Sequence, residues 1–184
     1  MPDVGVGPDL SIAVDPQRDD AVHAVFTDRG NGMDIRYGRS IDRGRTWRMT
    51  TVNNDAPLAD RFTPAIALDS YGNLNIVFYD TRRSSTFEAA DVFLAQPSDS
   101  SFSNQRISTA SSDDSRKNPL RDFTADLGGR MAIGISAGNA VIVWTDTRLG
   151  SEAIFLSIVP NTESAPTSGC TVGRKTCRAG RPQR

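Results

Sequence analysis

An aspartate that occurs three times, twice with an arginine two residues later, is the feature of this sequence most suited to chemistry. The aspartates are Asp28, Asp80 and Asp146, and the arginines are Arg82 and Arg148. At this spacing a carboxylate and a guanidinium can form an ion pair that holds the end of a strand, or they can present an acid and a base to a substrate. Because a catalytic group is needed once per site and a fastening once per repeat, the repetition favours the structural role.

One copy differs from the other two in having a tyrosine directly before the aspartate. Tyr79 would add a stacking or nucleophilic hydroxyl beside Asp80. If one copy has been recruited for catalysis, we expect it to be this one, with Asp80 and Tyr79 as the catalytic residues.

No Cys/His cluster or calcium-loop spacing occurs in the sequence, so we predict no metal and no other cofactor.

The elements that must position these aspartates form a repeat. Each aspartate follows an apolar run with an aromatic residue, in segments 25–29, 77–82 and 143–148. An apolar segment also precedes each run, a turn rich in Gly, Asn or Asp separates the two, and a further apolar segment follows. Short apolar runs between regular turn signals indicate β-strands, and no window has a long apolar period of 3.6 residues. We therefore predict an all-β fold.

The length of the repeat is typical of a β-propeller. The repeated aspartates lie 52 residues apart (28 to 80) and then 66 residues apart (80 to 146). Repeats of this size, each supplying about four strands, are typical of propeller blades. We expect a partial propeller over residues 1–160, with three four-stranded blades near residues 9–55, 61–108 and 123–159.

Two segments do not follow the repeat. The insertion from Ser108 to Asp122 lengthens the second interval, and its Ser, Asp and Arg residues predict a surface loop. Residues 161–184 hold one acidic residue against five basic ones, which predicts a disordered tail. Cys170 and Cys177 both lie in this tail, so no disulfide framework supports the core. The pair either closes a small loop in an oxidising compartment or stays as two free thiols.

The composition excludes several classes of protein. The chain has 184 residues, of which 38% are hydrophobic and 23% charged, and its formal net charge is −1. These values argue against a disordered chain and against a surface that binds nucleic acid. No apolar run approaches the roughly 20 residues that span a bilayer, and the start of the sequence lacks the pattern of a secretory signal.

One local motif is specific. The pattern S-x-D-x-G-x-T-W is matched at every specified position by Ser40, Asp42, Gly44, Thr46 and Trp47. The aspartate can accept hydrogen bonds from turn amides, the glycine can adopt positive φ, and the tryptophan can anchor the returning strand by burial. The motif resembles the Asp box of sialidases and related propellers. The resemblance implies that it fastens a hairpin on the propeller edge away from the catalytic face.

The resemblance to the sialidase-like Asp-box (BNR) repeat propellers covers residues 10–159. It implies a glycoside hydrolase of the exo-α-sialidase type, in which three arginines hold the sialic acid carboxylate while a Tyr/Glu pair and an aspartate act on the glycosidic bond. Arg61, in segment 61–64, is similar to a short Arg-x-x-Pro form of the family's arginine motif. The resemblance thus implies that Arg61, Arg82 and Arg148 bind the substrate. The structural alternative for Arg61 is a residue at the entry of a strand.

Three blades do not close a ring, since propellers typically have four to eight. The outer faces of the first and last blades would then expose apolar residues, and such faces lead to association. Either the sequence is a truncated piece of a longer protein, or two chains pair to complete a six-blade ring.

Functions of different classes stay open. The first is a sialidase-like, glycan-processing propeller or a fragment of one, as the resemblance implies. The second is a non-catalytic propeller that binds a glycan or a protein, and a purely structural repeat module is the third. Three arginines facing one cavity would favour the first, and a cavity lined by aromatic residues without such arginines would favour the second. The resemblance also implies a secreted or cell-surface parent protein, although this sequence carries no export signal.

Overall fold

The fold consists of three antiparallel sheets, seen in a computed structural model that describes residues 9–29, 32–55, 59–113 and 130–161. Within these ranges the chain is all-β, as predicted, and it forms no helix that is long and apolar enough to cross a membrane. We call the sheets blades 1, 2 and 3. Consecutive strands are neighbours in every blade, so each sheet is a simple meander.

The strands have the following bounds. Blade 1 contains β1 (Leu10–Val14), β2 (Val22–Asp28), β3 (Asp34–Ser40) and β4 (Arg48–Thr51). Blade 2 contains β5 (Arg61–Leu68), β6 (Leu74–Asp80), β7 (Ala89–Ser98) and β8 (Ser101–Arg106), and the short β9 (Ser112–Asp113) also pairs with β7. Blade 3 contains β10 (Met131–Ser136), β11 (Asn139–Asp146) and β12 (Ala153–Pro160), which are three described strands instead of the four predicted.

Blade 2 lies between the other two. Every residue of β6 is buried, whereas less exposed and more exposed residues alternate along most of β2 and along β12. Successive side chains of a strand point to opposite faces of the sheet, so a strand alternates when one face is covered and is buried throughout when both are. The burial pattern therefore reports that blade 2 is covered on both faces and that blades 1 and 3 are covered on one.

Two apolar cores join the blades. The core between blades 1 and 2 includes Val25, Ile35, Ile76, Phe78 and Phe93. The core between blades 2 and 3 includes Phe62, Val77, Tyr79, Ile142 and Trp144. Alternate residues of β6 enter the two cores, because its side chains point to both faces. Full burial of such apolar side chains contributes about 1.5–3 kcal/mol each, which makes these cores the main source of stability.

The first strand of blade 2 packs against the first strands of both neighbours, β1 and β10. Its register shifts between Phe62 and Ala65, and Thr63 in the resulting bulge has a φ of 50°. A β-branched residue in this left-handed region is strained. The Thr63 hydroxyl donates to Asp9 Oδ2 at 3.0 Å, so a contact with the residue before β1 helps to hold the bulge.

The loops of the blades lie at two opposite ends. Ser40 at the end of β3 pairs with Val22 at the start of β2, so the turn after β3 and the turn before β2 share one end. We call it the Asp-box end. The repeated aspartates Asp28, Asp80 and Asp146 close β2, β6 and β11 at the other end, which we call the acid–arginine end.

The turn between β3 and β4 is held by two side chains. Ser40 Oγ accepts a hydrogen bond from Gly44 N at 2.8 Å and donates to Asp42 Oδ1 at 2.7 Å. Asp42 also accepts from the backbone N and the hydroxyl of Thr46, at 2.8 and 2.6 Å, and Gly44 has a φ of 84°. The hydroxyl and amide of Thr46, then the hydroxyl of Ser40, lower the pKa of Asp42 to about 2.

Trp47 is not buried, and the sequence prediction for this residue is wrong. Its side chain is 42% exposed, and its indole N–H donates to Gly44 O at 3.0 Å. The ring lies over Gly38 of β3. Gly38 pairs with Ala24 of β2, and Ala24 pairs with the exposed Ile12 of β1, so the three residues lie on the same face of the sheet. Trp47 therefore covers the outer face of blade 1, and no neighbouring blade in the described part of the chain buries it.

The predicted surface loop from Ser108 to Asp122 needs a correction in its first part. Ser108 and Ser112 are buried, and Ser112 Oγ accepts a hydrogen bond from Thr147 N at 2.8 Å, which ties β9 to blade 3. Polar side chains can occupy the interior when their hydrogen bonds are satisfied. Residues 114–122 lie outside the described residues.

The predicted tail begins with a residue that belongs to the fold. Asn161 is buried, and its amide donates to Asp69 Oδ2 at 2.9 Å, while its backbone N donates to Gly138 O at 2.8 Å. The remainder of the predicted tail, including Cys170 and Cys177, lies outside the described residues.

Candidate functional site

Arg61 is the centre of a charged group at the acid–arginine end. It is the first residue of β5, and its side chain is fully buried. Its guanidinium lies 2.6 Å from Asp55 Oδ2, 3.2 Å from Asp34 Oδ1 and 3.4 Å from Asp80 Oδ2. Asp34 begins β3 and Asp80 ends β6, so two blades contribute. A buried guanidinium requires such partners, because removing a charge from water is costly unless it is paired.

Arg82 extends this group towards solvent. Its backbone N donates to Asp80 Oδ1 at 2.7 Å and its guanidinium to Asp80 Oδ2 at 2.6 Å. The guanidinium also lies 3.3 Å from Asp55 Oδ1 and stacks on the ring of Phe93, with 4.4 Å to the centroid. We call the five residues Asp34, Asp55, Arg61, Asp80 and Arg82 the acid–arginine cluster.

Two asparagines complete the surroundings of Arg82. Asn54 Oδ1 and Asn104 Oδ1 accept hydrogen bonds from the guanidinium at 2.9 and 3.1 Å. The Asn104 amide in turn donates to Val52 O at 3.0 Å. The contacts join the loop after β4 to blade 2, and they leave the guanidinium of Arg82 surrounded by acceptors from the protein itself.

Blade 3 repeats the Asp80–Arg82 geometry with Asp146 and Arg148. The backbone N and Nε of Arg148 donate to the two oxygens of Asp146, both at 2.9 Å, and its guanidinium stacks on Phe155 with 4.4 Å to the centroid. Burial raises the pKa of Asp146, but the hydrogen bonds from Arg148 and Trp144 outweigh it, so the pKa lies below its ordinary value. The carboxylate therefore stays ionised, which keeps the pair intact at neutral pH.

The first copy of the repeat does not form this pair. Asp28 is exposed, and it lies 4.0 Å from Arg36 Nε on the neighbouring strand. The arginine of this copy, Arg29, follows the aspartate directly. The spacing of two residues that folds the guanidinium back onto its own carboxylate is thus absent in blade 1.

Tyr79 points away from the acid–arginine cluster. Its side chain is fully buried in the core between blades 2 and 3, where its hydroxyl donates to Thr145 O at 2.6 Å and its ring stacks on Phe62. The structure thus brings Arg61, Asp80 and Arg82 together, and it places Tyr79 and Arg148 elsewhere. The catalytic role of Asp80 and Tyr79 stays a prediction.

To a ligand, the acid–arginine cluster can offer hydrogen-bond acceptors more readily than a free cation. Three carboxylates face two guanidinium groups, and Asp34 and Asp55 keep 31% and 20% of their side-chain surface exposed. Asp55 Oδ1 is itself buried and lies within ion-pair distance of Arg82 without hydrogen-bond geometry, so the more accessible acceptor of the cluster is Asp34. An exposed carboxylate oxygen accepts hydrogen bonds from hydroxyl or amino groups.

Sequence reasoning missed Asp34 and Asp55. Asp34 at the start of β3 and Asp55 in the loop after β4 each pair with Arg61, which is distant in sequence from Asp34, so the pairing leaves no local pattern. The available signal for Asp55 is its place at the end of the Asn-Asn-Asp run of residues 53–55, shortly before the strand that Arg61 begins.

Comparisons with known proteins place the fold. No protein-family model matches the sequence, and no curated protein matches it. Among solved structures, the chain is similar to the α-L-arabinanase of Penicillium chrysogenum complexed with arabinobiose, with a TM-score of 0.58 and 13% sequence identity. The alignment covers 86% of this chain and 47% of the arabinanase, so the chain spans about half the length of that protein. The predicted fold class, a partial β-propeller, is confirmed.

Proposed function

We propose that this chain is part of a glycan-processing β-propeller and that its blades bind an uncharged glycan instead of hydrolysing a sialoside. The observation that carries the proposal is the pairing of the three arginines predicted to bind substrate. Arg61 is buried among three carboxylates, and Arg82 and Arg148 each fold back onto the aspartate two residues before them.

These pairings disfavour an anionic sugar. The carboxylate of a sialic acid would compete with protein carboxylates for the same guanidinium groups. Removing one partner from a buried ion pair costs about 3–5 kcal/mol, so the exchange would gain little. Arg61 and Arg82 both contact Asp55, whereas the guanidinium of Arg148 contacts Asp146, Thr109 and Phe155. Of the predicted functions, the geometry supports carbohydrate binding over the sialidase arginine clamp.

An uncharged glycan fits the groups that remain. Sugar hydroxyls can donate to the carboxylate of Asp34, whose side chain is 31% exposed, and they can exchange hydrogen bonds with the amides of Asn54 and Asn104. The similar propeller was solved with arabinobiose, an uncharged disaccharide, which supports a ligand of this class. We place the glycan at the acid–arginine end, with Asp34 as its main acceptor.

We further propose membership of the sialidase-like Asp-box family. The full match of residues 40–47 to the motif supports it, together with the side-chain bonds that hold the turn. Exo-α-sialidase activity, with Asp80 and Tyr79 as catalytic residues, would require both side chains to become accessible, since each is fully buried in this chain.

A paired assay tests the proposed function. Binding of the purified chain to uncharged oligosaccharides, arabinan fragments included, is measured by calorimetry beside the turnover of a fluorogenic sialoside. We expect binding without turnover, and we expect Asp34→Asn to weaken the binding at least tenfold. Asp19→Asn, which removes the same charge from an exposed turn at the Asp-box end, is the matched control and should leave it unchanged.

Two results would contradict the proposal. Sialoside turnover that disappears in a folded Arg148→Lys variant would establish the sialidase arginine clamp. Equal glycan affinity in the wild-type chain and in a folded Asp34→Asn variant would remove the acid–arginine cluster from the binding site.

A second proposal concerns a partner. We propose that a second copy of this chain covers the outer faces of blades 1 and 3. The outer face of blade 1 exposes Leu10, Ile12 and Val14, each by more than 60%. The outer face of blade 3 exposes Ile154, Leu156 and Ile158, each by 57% or more. Two chains with three blades each would supply six blades, which lies within the usual range for a closed ring.

A further inference from the structure

A cavity of about 400 Å³ lies at the Asp-box end, between blades 1 and 2. Blade 1 contributes Asp15, His23, Tyr37 and Arg39 to its lining, and Leu74 and Phe102 belong to its wall on blade 2. The volume is within the range of small-molecule sites and far above the roughly 30 Å³ of one water molecule. Both walls belong to neighbouring described blades, so the cavity does not arise from an uncovered outer face.

His23 leaves one nitrogen of its ring without a partner beside this cavity. The side chain is about 4% exposed, and Nδ1 lies 2.6 Å from the Tyr37 hydroxyl. Nε2 is buried and has no hydrogen-bond partner. Asp15 Oδ2 lies 3.9 Å from Nε2, which is too far for a hydrogen bond. Buried polar atoms are nearly always satisfied, so the position between His23 and Asp15 calls for a bridging group.

The protonation states of His23 and Tyr37 determine whether the bridging group must donate or accept hydrogen bonds. Burial and then the charge of Arg39 lower the pKa of His23 against the opposing effect of Asp15, so the ring is neutral at pH 7. Burial raises the pKa of Tyr37 to about 12, which keeps its hydroxyl protonated. A neutral ring carries one N–H, and the nearby carboxylate of Asp15 favours that proton on Nε2. Tyr37 then donates to Nδ1, and Nε2 is a donor.

We propose that this cavity binds one small, uncharged, polyhydroxylated molecule, a monosaccharide or a polyol, with one hydroxyl between His23 and Asp15. A hydroxyl can accept from Nε2–H and donate to the Asp15 carboxylate at the same time. A carboxylate ligand only accepts and would face Asp15, and an ammonium group only donates and would face the N–H of His23. Of these groups, the hydroxyl alone satisfies both sides.

The opposite wall suits the rest of such a molecule. Leu74 and Phe102 are buried apolar residues that line the cavity, and they can contact the C–H face of a sugar ring. The Arg39 side chain, exposed at the cavity, can donate to further hydroxyls. The site lies at the end of the blades opposite to the acid–arginine cluster, so it does not rest on the proposed function, and Asp34→Asn should leave it unchanged.

The single histidine of the sequence makes a direct test possible. In a chain labelled with ¹⁵N and ¹³C at histidine, the imidazole signals come from His23 alone. L-arabinose, D-glucose and glycerol are titrated as uncharged probes, and acetate and ammonium as charged ones. We expect at least one uncharged probe to shift the His23 signals saturably, with contacts between its C–H protons and the ring of Phe102.

Variants assign the binding to the cavity. Asp15→Asn should weaken the uncharged probe at least tenfold, because the acceptor of the bridging hydroxyl loses its charge. Glu152→Gln, which removes an exposed carboxylate of blade 3, is the matched control and should leave the affinity unchanged.

The inference is overturned if no uncharged probe shifts the His23 signals saturably, or if acetate or ammonium alone shifts them. It is also overturned if a folded Asp15→Asn variant binds as tightly as the wild-type chain. The spectra of the unsubstituted chain decide the question if Asp15→Asn does not fold.

Discussion

At the scale of single residues, the charged groups of this protein mainly neutralise one another. Arg61 carries a full positive charge in the interior, and it depends on Asp34, Asp55 and Asp80 for compensation. Asp80 in turn holds Arg82 through both of its oxygens. A group with this many internal partners is a poor candidate for a free acid or base, and its loss should be felt first as a loss of stability.

Asp80→Asn should lower the free energy of unfolding by about 3–5 kcal/mol, because Arg61 stays buried after losing a charged partner. Urea denaturation with a constant m-value measures the change. Asp28→Asn removes the aspartate at the same position of the first repeat, where it is exposed, and it should cost less than about 1 kcal/mol. An Asp80→Asn variant of wild-type stability that has lost a hydrolytic activity would instead support the catalytic interpretation.

Asp42 should make the protein sensitive to acid. Its pKa is about 2 in the folded chain and 3.8 ordinarily, so the folded state favours the ionised form. This contribution to stability is present above pH 3.8 and is lost as the pH falls towards 2. Thermal unfolding of the wild-type chain and of Asp42→Asn, compared from pH 5 to pH 2, should show a difference that narrows as the pH falls. A difference that stays constant across this range would contradict the assignment.

The residue-scale features that the sequence predicts are the local ones. The Asp-box pattern and the Asp–Arg spacing each lie within eight residues, so the side chains that bond are visible together. The exposure of Trp47 depends on whether another blade covers it, and the partners of Arg61 come from other strands and from the loop after β4. His23 was visible only as the single histidine of the sequence, since its neighbours Asp15 and Tyr37 meet it through strand pairing.

At the scale of elements, the first three strands of each blade follow from short apolar patterns, and β9 is an element that no such pattern marks. An alternating or continuous apolar run identifies a strand because it reflects which faces are covered, whereas β9 consists of Ser112 and Asp113 and has no apolar residue. It pairs with Ala89 and Ala90 of β7, and its serine bonds to Thr147 in blade 3. A polar segment that is held by hydrogen bonds looks like a loop in the sequence.

Ser112→Ala should test the contribution of β9. The substitution leaves the buried N–H of Thr147 without its acceptor, and we expect the free energy of unfolding to fall by about 1–3 kcal/mol. Ser103→Ala, at an exposed position of β8, is the matched control and should change it by less than about 0.5 kcal/mol. Equal stability of the two variants in urea denaturation would show that β9 contributes little to the attachment of blade 3.

At the scale of the whole molecule, the number of blades follows from the repeat, but the closure of the ring does not. Each repeat encodes its own blade, and nothing in a repeat specifies what packs on the outer faces of the series. The exposed side chains on β1 and β12 show the consequence directly, since both strands carry apolar residues on the uncovered side as well.

Self-association through these faces can be measured by light scattering. We expect the purified chain to have the mass of a dimer, and we expect Leu156→Lys to shift it towards the monomer with its circular dichroism unchanged. A lysine at the centre of the outer face of blade 3 would bury a charge in the contact. Ser103→Lys, on an exposed position of blade 2, is the control. A monomeric wild-type chain, or a Leu156→Lys variant that stays dimeric, would contradict the proposal.

The two cores that meet at β6 have a consequence for cooperativity. Because Phe78 belongs to one core and Tyr79 to the other, blade 2 cannot open without disrupting both, whereas blade 1 or blade 3 can detach while the other core persists. Local opening should therefore start at the outer blades, and the backbone amides of β6 and β7 should exchange with solvent last. In such an arrangement the middle blade sets the global unfolding free energy, and the flanking blades respond to whatever binds their outer faces.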